Sequence, residues 1–126
     1  MQHNIMGAAH YIVLEKEIDG LDTIMDGKHL SQHIESLDKV ARELGVRPLS
    51  EFFSMPPDEL AEFMDGADDM ELPSLKQFSA KEGLATVRAL LPQREAQVAI
   101  EDLQACERIL STAAEHGIGW HFQIDI

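Results

Sequence analysis

The chain has 126 residues, of which 44% are hydrophobic and 26% charged, a composition typical of a globular protein with one hydrophobic core. Its 23 acidic residues outnumber its 10 basic ones, which gives a formal net charge of −13. Such a field repels phosphate backbones and anionic lipid surfaces, so we expect neither nucleic-acid nor membrane binding. We predict one domain over residues 1–126, with residues 1–7 poorly ordered.

The cysteine content and the apolar stretches bear on the compartment. Cys106 is the single cysteine, so the chain cannot form an internal disulfide. The first residues show no basic region followed by a long apolar one, and no segment approaches the roughly 20 apolar residues of a membrane-spanning helix. We therefore expect a soluble, cytoplasmic protein.

The first predicted strand covers residues 10–18, where aromatic and β-branched residues are followed by alternating charged and apolar ones. Asp19-Gly20 comes next, and Asp-Gly between two apolar-containing runs is a signal for a two-residue hairpin turn, because Gly tolerates a positive φ. The second arm of this hairpin would be residues 21–25.

Helical spacing begins at Lys28 and ends before Gly45, a natural residue to follow a helix. Its apolar stripe consists of Leu30, Ile34, Leu37, Ala41 and Leu44. Prolines then bracket residues 49–54, and we expect Phe52 and Phe53 to pack a short helix or turn onto the core. A further short helix is predicted from Pro57 to Met64, since proline suits the first helical position.

Ser79 and Glu82 have the spacing of a capping box, which predicts a helix that starts there and ends near Pro92. A second long helix is predicted over residues 95–116, before Gly117. Because the connection is short, we expect these two helices to form an antiparallel hairpin.

Residues 119–126 alternate strictly between apolar and polar side chains, which predicts a strand. One face would carry Trp120, Phe122, Ile124 and Ile126, and the other His121, Gln123 and Asp125. We expect the polar face to lie in solvent, as is usual in antiparallel sheets, although it could also line one wall of a groove.

Together these elements predict an α+β fold. Three or four main helices, including the C-terminal helical hairpin, would pack on one face of a small, mainly antiparallel sheet. The sheet would be formed by the N-terminal strand or hairpin and the C-terminal strand.

His29 and His33 are four positions apart, which places them on neighbouring parts of one helix face, as in many metal sites. A zinc hydrolase of the H-E-x-x-H type needs a glutamate directly after the first histidine, where this chain has Leu30. A metal would still need one or two more ligands from elsewhere, such as Asp26, His10, or His121 with Asp125. We therefore predict no metal and no cofactor; the weak candidates are His29, His33, His121 and Asp125.

Three further polar residues of the last helix have structural interpretations. Cys106 lies on the apolar side and is predicted to be a small core residue. Glu107 is predicted at the edge of that side, with its carboxylate reaching water or a cation such as Lys81. His116 is favourably placed near the helix C-terminus.

Acidic residues are concentrated in one segment, because no Lys or Arg lies between Pro48 and Leu75. The leading hypothesis is a non-enzymatic protein-binding or regulatory module of inhibitor or immunity type, a monomer or homodimer, that presents an acidic surface to a basic protein partner. The predicted surface consists of Asp58, Glu62, Asp65, Asp68, Asp69 and Glu71.

Two alternatives come from other classes of protein. One is a small metal-dependent enzyme that uses His29, His33 and the polar face of the C-terminal strand. The other is a homo-oligomeric structural protein that assembles through an exposed apolar face.

Overall fold

The computed structural model of this chain describes residues 8–58 and 74–125. The predicted α+β fold is confirmed, with three helices and a two-stranded antiparallel sheet in the described ranges. Within these ranges no helix is both long and apolar enough to cross a membrane. The predictions for residues 1–7 and for Ile126 lie outside the described residues. The elements are β1 (Ala9–Leu14), α1 (Lys28–Leu44), α2 (Ala80–Leu90), α3 (Ile100–Glu115) and β2 (Trp120–Asp125), with 3-10 turns at Leu49–Phe52 and Arg94–Ala99.

The sheet pairs the two ends of the described chain, with Ala9 opposite Asp125 and Leu14 opposite Trp120. Side chains alternate along each strand, so one face is apolar and packs on the helices. That face carries His10, Ile12, Leu14, Trp120 and Phe122.

The predicted N-terminal hairpin is wrong. β1 ends at Leu14, and residues 21–25 form no strand. Two backbone hydrogen bonds close the loop, from Leu21 N–H to the Ile18 carbonyl and from His10 N–H to the Gly27 carbonyl. These bonds leave seven residues on one arm, 11–17, and five on the other, 22–26, so the arms cannot pair in one continuous register.

Helix α1 begins and ends as predicted, and Gly45 has the left-handed conformation, with φ 80°, that glycine adopts without cost. Its N-terminus is capped from another helix. The buried carboxylate of Asp102 in α3 accepts hydrogen bonds from Gly27 N–H and Leu30 N–H, both at 3.0 Å. An added Cβ on Gly27 would lie 1.8 Å from the His10 carbonyl oxygen, so this junction requires glycine.

Helix α2 begins at the predicted cap, where Ser79 Oγ accepts a hydrogen bond from Glu82 N–H at 3.3 Å. One turn later, the indole of Trp120 lies against the backbone of Gly83. A Cβ on Gly83 would lie 2.2 Å from Trp120 Cζ2, so only glycine allows this approach. The Trp120 indole N–H donates to the Ser79 carbonyl at 3.1 Å, which orients the ring.

Phe52 lies in the core as predicted, while Phe53 is half-buried. The Phe52 ring stacks on Trp120 with ring centroids 4.9 Å apart. The Arg47 guanidinium lies over the rings of Phe52 and Phe78, at 5.2 and 4.9 Å from their centroids. This aromatic cluster joins β2 to the segments on either side of residues 59–73.

The predicted second helix of the hairpin begins as a 3-10 turn and continues as α3. Cys106 is fully buried, as predicted, and its burial together with Asp102 raises the pKa of the thiol. Glu107 lies at the edge of the apolar side and its carboxylate contacts a cation, as predicted, but the cation is Arg88, whose Nε lies 3.2 Å away, and not Lys81. Lys81 instead lies near Ala114, closer to the other end of α3.

The prediction for His116 is confirmed. His116 is the C-cap residue of α3, and its Nδ1 lies 2.9 Å from the Thr112 carbonyl oxygen. Gly117 follows with φ 66°, and the chain then turns towards β2.

Candidate protein-interaction surface

The histidines predicted as weak metal ligands do not converge. His29 is exposed and His33 half-buried in the first two turns of α1, a helix that packs on the apolar face of the sheet. His121 and Asp125 belong to the opposite face. In residues 8–58 and 74–125, no three His, Cys, Asp or Glu side chains form a group that could hold a metal ion.

The predicted solvent exposure of His121 is wrong, since its side chain is fully buried. His121 Nδ1 lies 3.1 Å from Gln77 Oε1, and its Nε2 lies 2.9 Å from Gln123 Nε2. Gln123 Oε1 in turn accepts a hydrogen bond from the Tyr11 hydroxyl at 2.9 Å. Burial lowers the pKa of His121, and a neutral ring with its proton on Nδ1 satisfies both contacts.

A second buried histidine was missed by the sequence analysis. His10 lies on the apolar face of β1, where its Nδ1 hydrogen-bonds to Ser31 Oγ and its ring meets Phe122 edge-on. Burial lowers its pKa, an effect that the charge of Asp38 partly opposes. Side chains two positions apart on a strand lie on the same face, so the spacing of His10 and Ile12 in the sequence could have indicated that the His10 ring faces the core.

The His10–Ser31 pair does not amount to a nucleophile and its base. The imidazole is 4% exposed, so a substrate cannot reach it. The nearby Asp38 carboxylate accepts a hydrogen bond from Ser50 N–H at 3.2 Å and does not hydrogen-bond to the ring. The pair serves to fix α1 against β1.

The structure describes one residue of the predicted acidic surface, Asp58, which is exposed. Asp58 and the preceding Pro57 are helical, as predicted, and the remainder of that predicted helix lies outside the described residues. So does the rest of the predicted surface, Glu62, Asp65, Asp68, Asp69 and Glu71.

Acidic residues also dominate the described part of the chain. It contains seventeen acidic and ten basic residues, because the other six acids lie within 59–73. One local excess lies in the loop between β1 and α1, where all the charged side chains are exposed. These are Glu15, Glu17, Asp19, Asp22 and Asp26, against the single basic residue Lys16.

The same loop borders a free edge of the sheet. Glu15 N–H bonds to the Gly119 carbonyl, which fixes the odd-numbered residues of β1 as those bonded to β2. The backbone groups of Ile12 and Leu14 therefore point away from β2. In the described ranges these four groups, two N–H and two C=O, have no hydrogen-bond partner.

A groove of about 580 Å³ lies beside this edge. Three consecutive residues of β1 line the groove, whereas no residue of β2 does. The groove therefore lies along the outer edge of β1 and not over a face of the sheet. We call it the edge groove. Its lining is Ile12, Val13, Leu14, Lys16, Glu17, Ile18, Asp19, Gly20, Leu21 and Thr23.

Comparisons with protein-family models, with curated proteins and with solved structures find no match to this chain.

Proposed function

We propose that this chain is a non-enzymatic protein-binding module, of inhibitor or immunity type, that binds a basic protein partner in the cytoplasm. The observation that carries the proposal is the charge distribution. The net charge is −13, and no basic residue lies between Pro48 and Leu75. The exposed acids of residues 15–26 add a second acidic stretch within the described structure.

Clustered charge of this kind acts mainly on the rate at which the two proteins meet. It raises the association rate with an oppositely charged surface and contributes less to the lifetime of the complex. The effect decreases with salt, because the Debye length falls from about 10 Å at 0.1 M to about 3 Å at 1 M. Salt-dependent association with a basic partner is thus the expected signature.

The test is a pull-down from native lysate at low and high salt, followed by association kinetics with the captured protein. The test variant is Asp65→Asn/Asp68→Asn/Asp69→Asn. The control variant, Glu95→Gln/Glu101→Gln/Glu115→Gln, changes the net charge equally at exposed positions elsewhere. We expect the test variant to associate roughly tenfold more slowly than the control at low salt, and the two to agree at 1 M salt.

Equal rates for the parent and both variants would show that the acids serve solubility alone. An equal loss in both variants would show that overall charge matters and that no particular acidic surface exists. Either result contradicts the proposal.

A further inference from the structure

We propose that the edge groove binds an extended, basic segment of the partner, which adds to the sheet as a third strand beside β1. This inference rests on the proposed function, from which it takes the basic partner, and it adds where and how that partner is held. The proposal starts from the outward backbone groups of Ile12 and Leu14, which have no hydrogen-bond partner in the part of the chain that the structure describes. Such an edge is the template used in peptide recognition by strand addition.

The geometry of the edge sets the pattern of the guest segment. Residues placed opposite Ile12 and Leu14 can exchange both backbone hydrogen bonds with them, and their side chains fall on the apolar face of the sheet. There the groove is lined by Ile18 and Leu21, which pack against the hydrophobic core. The intervening guest side chains point to the opposite face. The favoured guest therefore alternates apolar and polar residues.

Charge complementarity selects basic residues for the polar positions. The loop that borders the groove exposes five acids and one lysine between positions 15 and 26. A second copy of this chain is a poor occupant, because each copy carries a net charge of −13 and presents the same acidic loop.

The chain's own segment 21–25 does not occupy the edge. The bonds at Ile18–Leu21 and at His10–Gly27 leave arms of seven and five residues, so this segment passes the edge without pairing. The groove volume of about 580 Å³ lies within the range of roughly 300–1,000 Å³ typical of ligand pockets. Within residues 8–58 and 74–125, this edge thus has unpaired backbone groups and adjacent space for an external strand.

The test uses the 126-residue protein labelled with ¹⁵N and titrated with the peptide acetyl-Lys-Val-Lys-Val-Lys-amide. We expect the largest amide shifts at Ile12 and Leu14, with slower hydrogen exchange at both when the peptide is bound. The binding should weaken as salt is raised, because the guest lysines lie beside a loop that exposes five acids.

Two control peptides separate strand addition from simple charge attraction. N-methylation of both valines keeps the charge and removes the two backbone donors that meet β1, so binding should weaken at least roughly tenfold. Replacement of the lysines by glutamate keeps the donors and reverses the charge of the peptide, and it should abolish measurable binding.

A pair of protein variants tests the same contact from the other side. Leu14→Pro removes one outward N–H, a position where proline is tolerated in an edge strand, whereas Leu14→Ala removes the same side chain and keeps the N–H. We expect the peptide to bind Leu14→Pro about tenfold more weakly than Leu14→Ala. Melting curves of both variants establish that they fold, and the N-methylated peptide tests the parent protein without any substitution.

Several results would overturn this inference. One is that the N-methylated peptide binds as tightly as the unmodified peptide. Another is that the amide shifts are confined to other surfaces. A third is that a second copy or residues 21–25 already protect the amides of Ile12 and Leu14 in the free protein. If the lysine peptide bound in a salt-dependent way at another surface, the inference would fail while the proposed function stood. If the acidic variants had no effect on partner binding but the valine amides proved essential, the acidic surface would fail and the strand addition would remain.

Discussion

The two long edges of the small sheet differ in what covers them. On the outer side of β2, Phe78 exchanges two backbone hydrogen bonds with Trp120, at 2.7 and 3.0 Å, and Ser54 N–H donates to the Phe122 carbonyl at 3.1 Å. On the outer side of β1, the described chain contributes one bond, from His10 to Gly27. We infer that the covered edge gives stability and that the open edge remains free for binding.

The largest expected effect comes from displacing Trp120, which lies on the covered edge, by a substitution at Gly83 of α2. The substitution Gly83→Ala places a Cβ inside the space of the Trp120 ring, 2.2 Å from Cζ2, and should move Trp120 away from Phe78. We expect the free energy of unfolding to fall by about 3 kcal/mol in urea denaturation.

The control for Gly83 is Ala85→Gly, at an exposed position of α2, which measures helix propensity alone and should cost about 1 kcal/mol. A Gly83→Ala protein more stable than the parent would mean that Trp120 does not occupy that space, since alanine is otherwise the better helix former.

The next largest effect concerns the hydrogen bond from His10 N–H to the Gly27 carbonyl on the outer side of β1. Asp102 caps Gly27 and Leu30, and the asparagine in Asp102→Asn can accept from one of these N–H groups but not from both. We expect a loss of about 2 kcal/mol, with faster hydrogen exchange at His10 N–H. Glu101→Gln, the exposed neighbour, should change stability by less than about 0.5 kcal/mol. Equal losses in the two variants would contradict the capping role.

A smaller effect compares the two strands through their buried histidines. Burial lowers the folded-state pKa of both His10 and His121 below the ordinary histidine value of about 6.5. The unfolded chain therefore binds protons first as the pH falls, and stability should decline from about pH 6.5 until the lowered folded-state values are passed. The slope is at most about 1.4 kcal/mol per pH unit for each histidine.

Urea denaturation between pH 8 and 5 measures this decline. Ring ¹⁵N spectra should show both imidazoles mainly neutral at pH 6.5. Protonation of carboxylates in a chain of this net charge relieves repulsion and acts in the opposite direction, so the ring spectra decide the point. Imidazoles that are already mainly charged at pH 6.5 in the folded protein would contradict the role of the histidines.

The last comparison is made on the unmodified protein. In the free protein, the amides of Ile12 and Leu14 should exchange with solvent roughly 100-fold or more faster than those of Phe78 and Trp120, because the latter two are bonded across the covered edge. Native-state hydrogen exchange measures all four in one experiment. Comparable protection on both edges would show that the β1 edge is not free.

The helices and the C-terminal strand could be predicted because their signals are local. The apolar spacing before Gly45, the cap at Ser79 and the alternation from Trp120 are each complete within one stretch of sequence. The sequence also predicted that the C-terminal strand joins the N-terminal strand or hairpin in one sheet, and β2 does pair with β1. What the local pattern got wrong is the second hairpin arm at residues 21–25, which an Asp-Gly turn favours.

The contacts that define the site depend on residues distant in sequence. The cap of α1 comes from Asp102, and the burial of His121 includes a contact with Gln77. The sequence marks Asp102 as an acid in the first turn of a helix, a position usually explained by the helix dipole. The free edge of β1 was not predictable either, because it results from a hairpin that does not close.

The pairing of β1 with β2 also has a consequence for synthesis. Tyr11 and its hydrogen-bond partner Gln123 are 112 positions apart. At about 5–20 residues per second, translation of that interval takes roughly 6–22 s, during which β1 lacks its β2 partner. The newly made strand, with Tyr11, Ile12, Val13 and Leu14 in succession, is therefore open to chaperones and to neighbouring chains for seconds before the sheet can form.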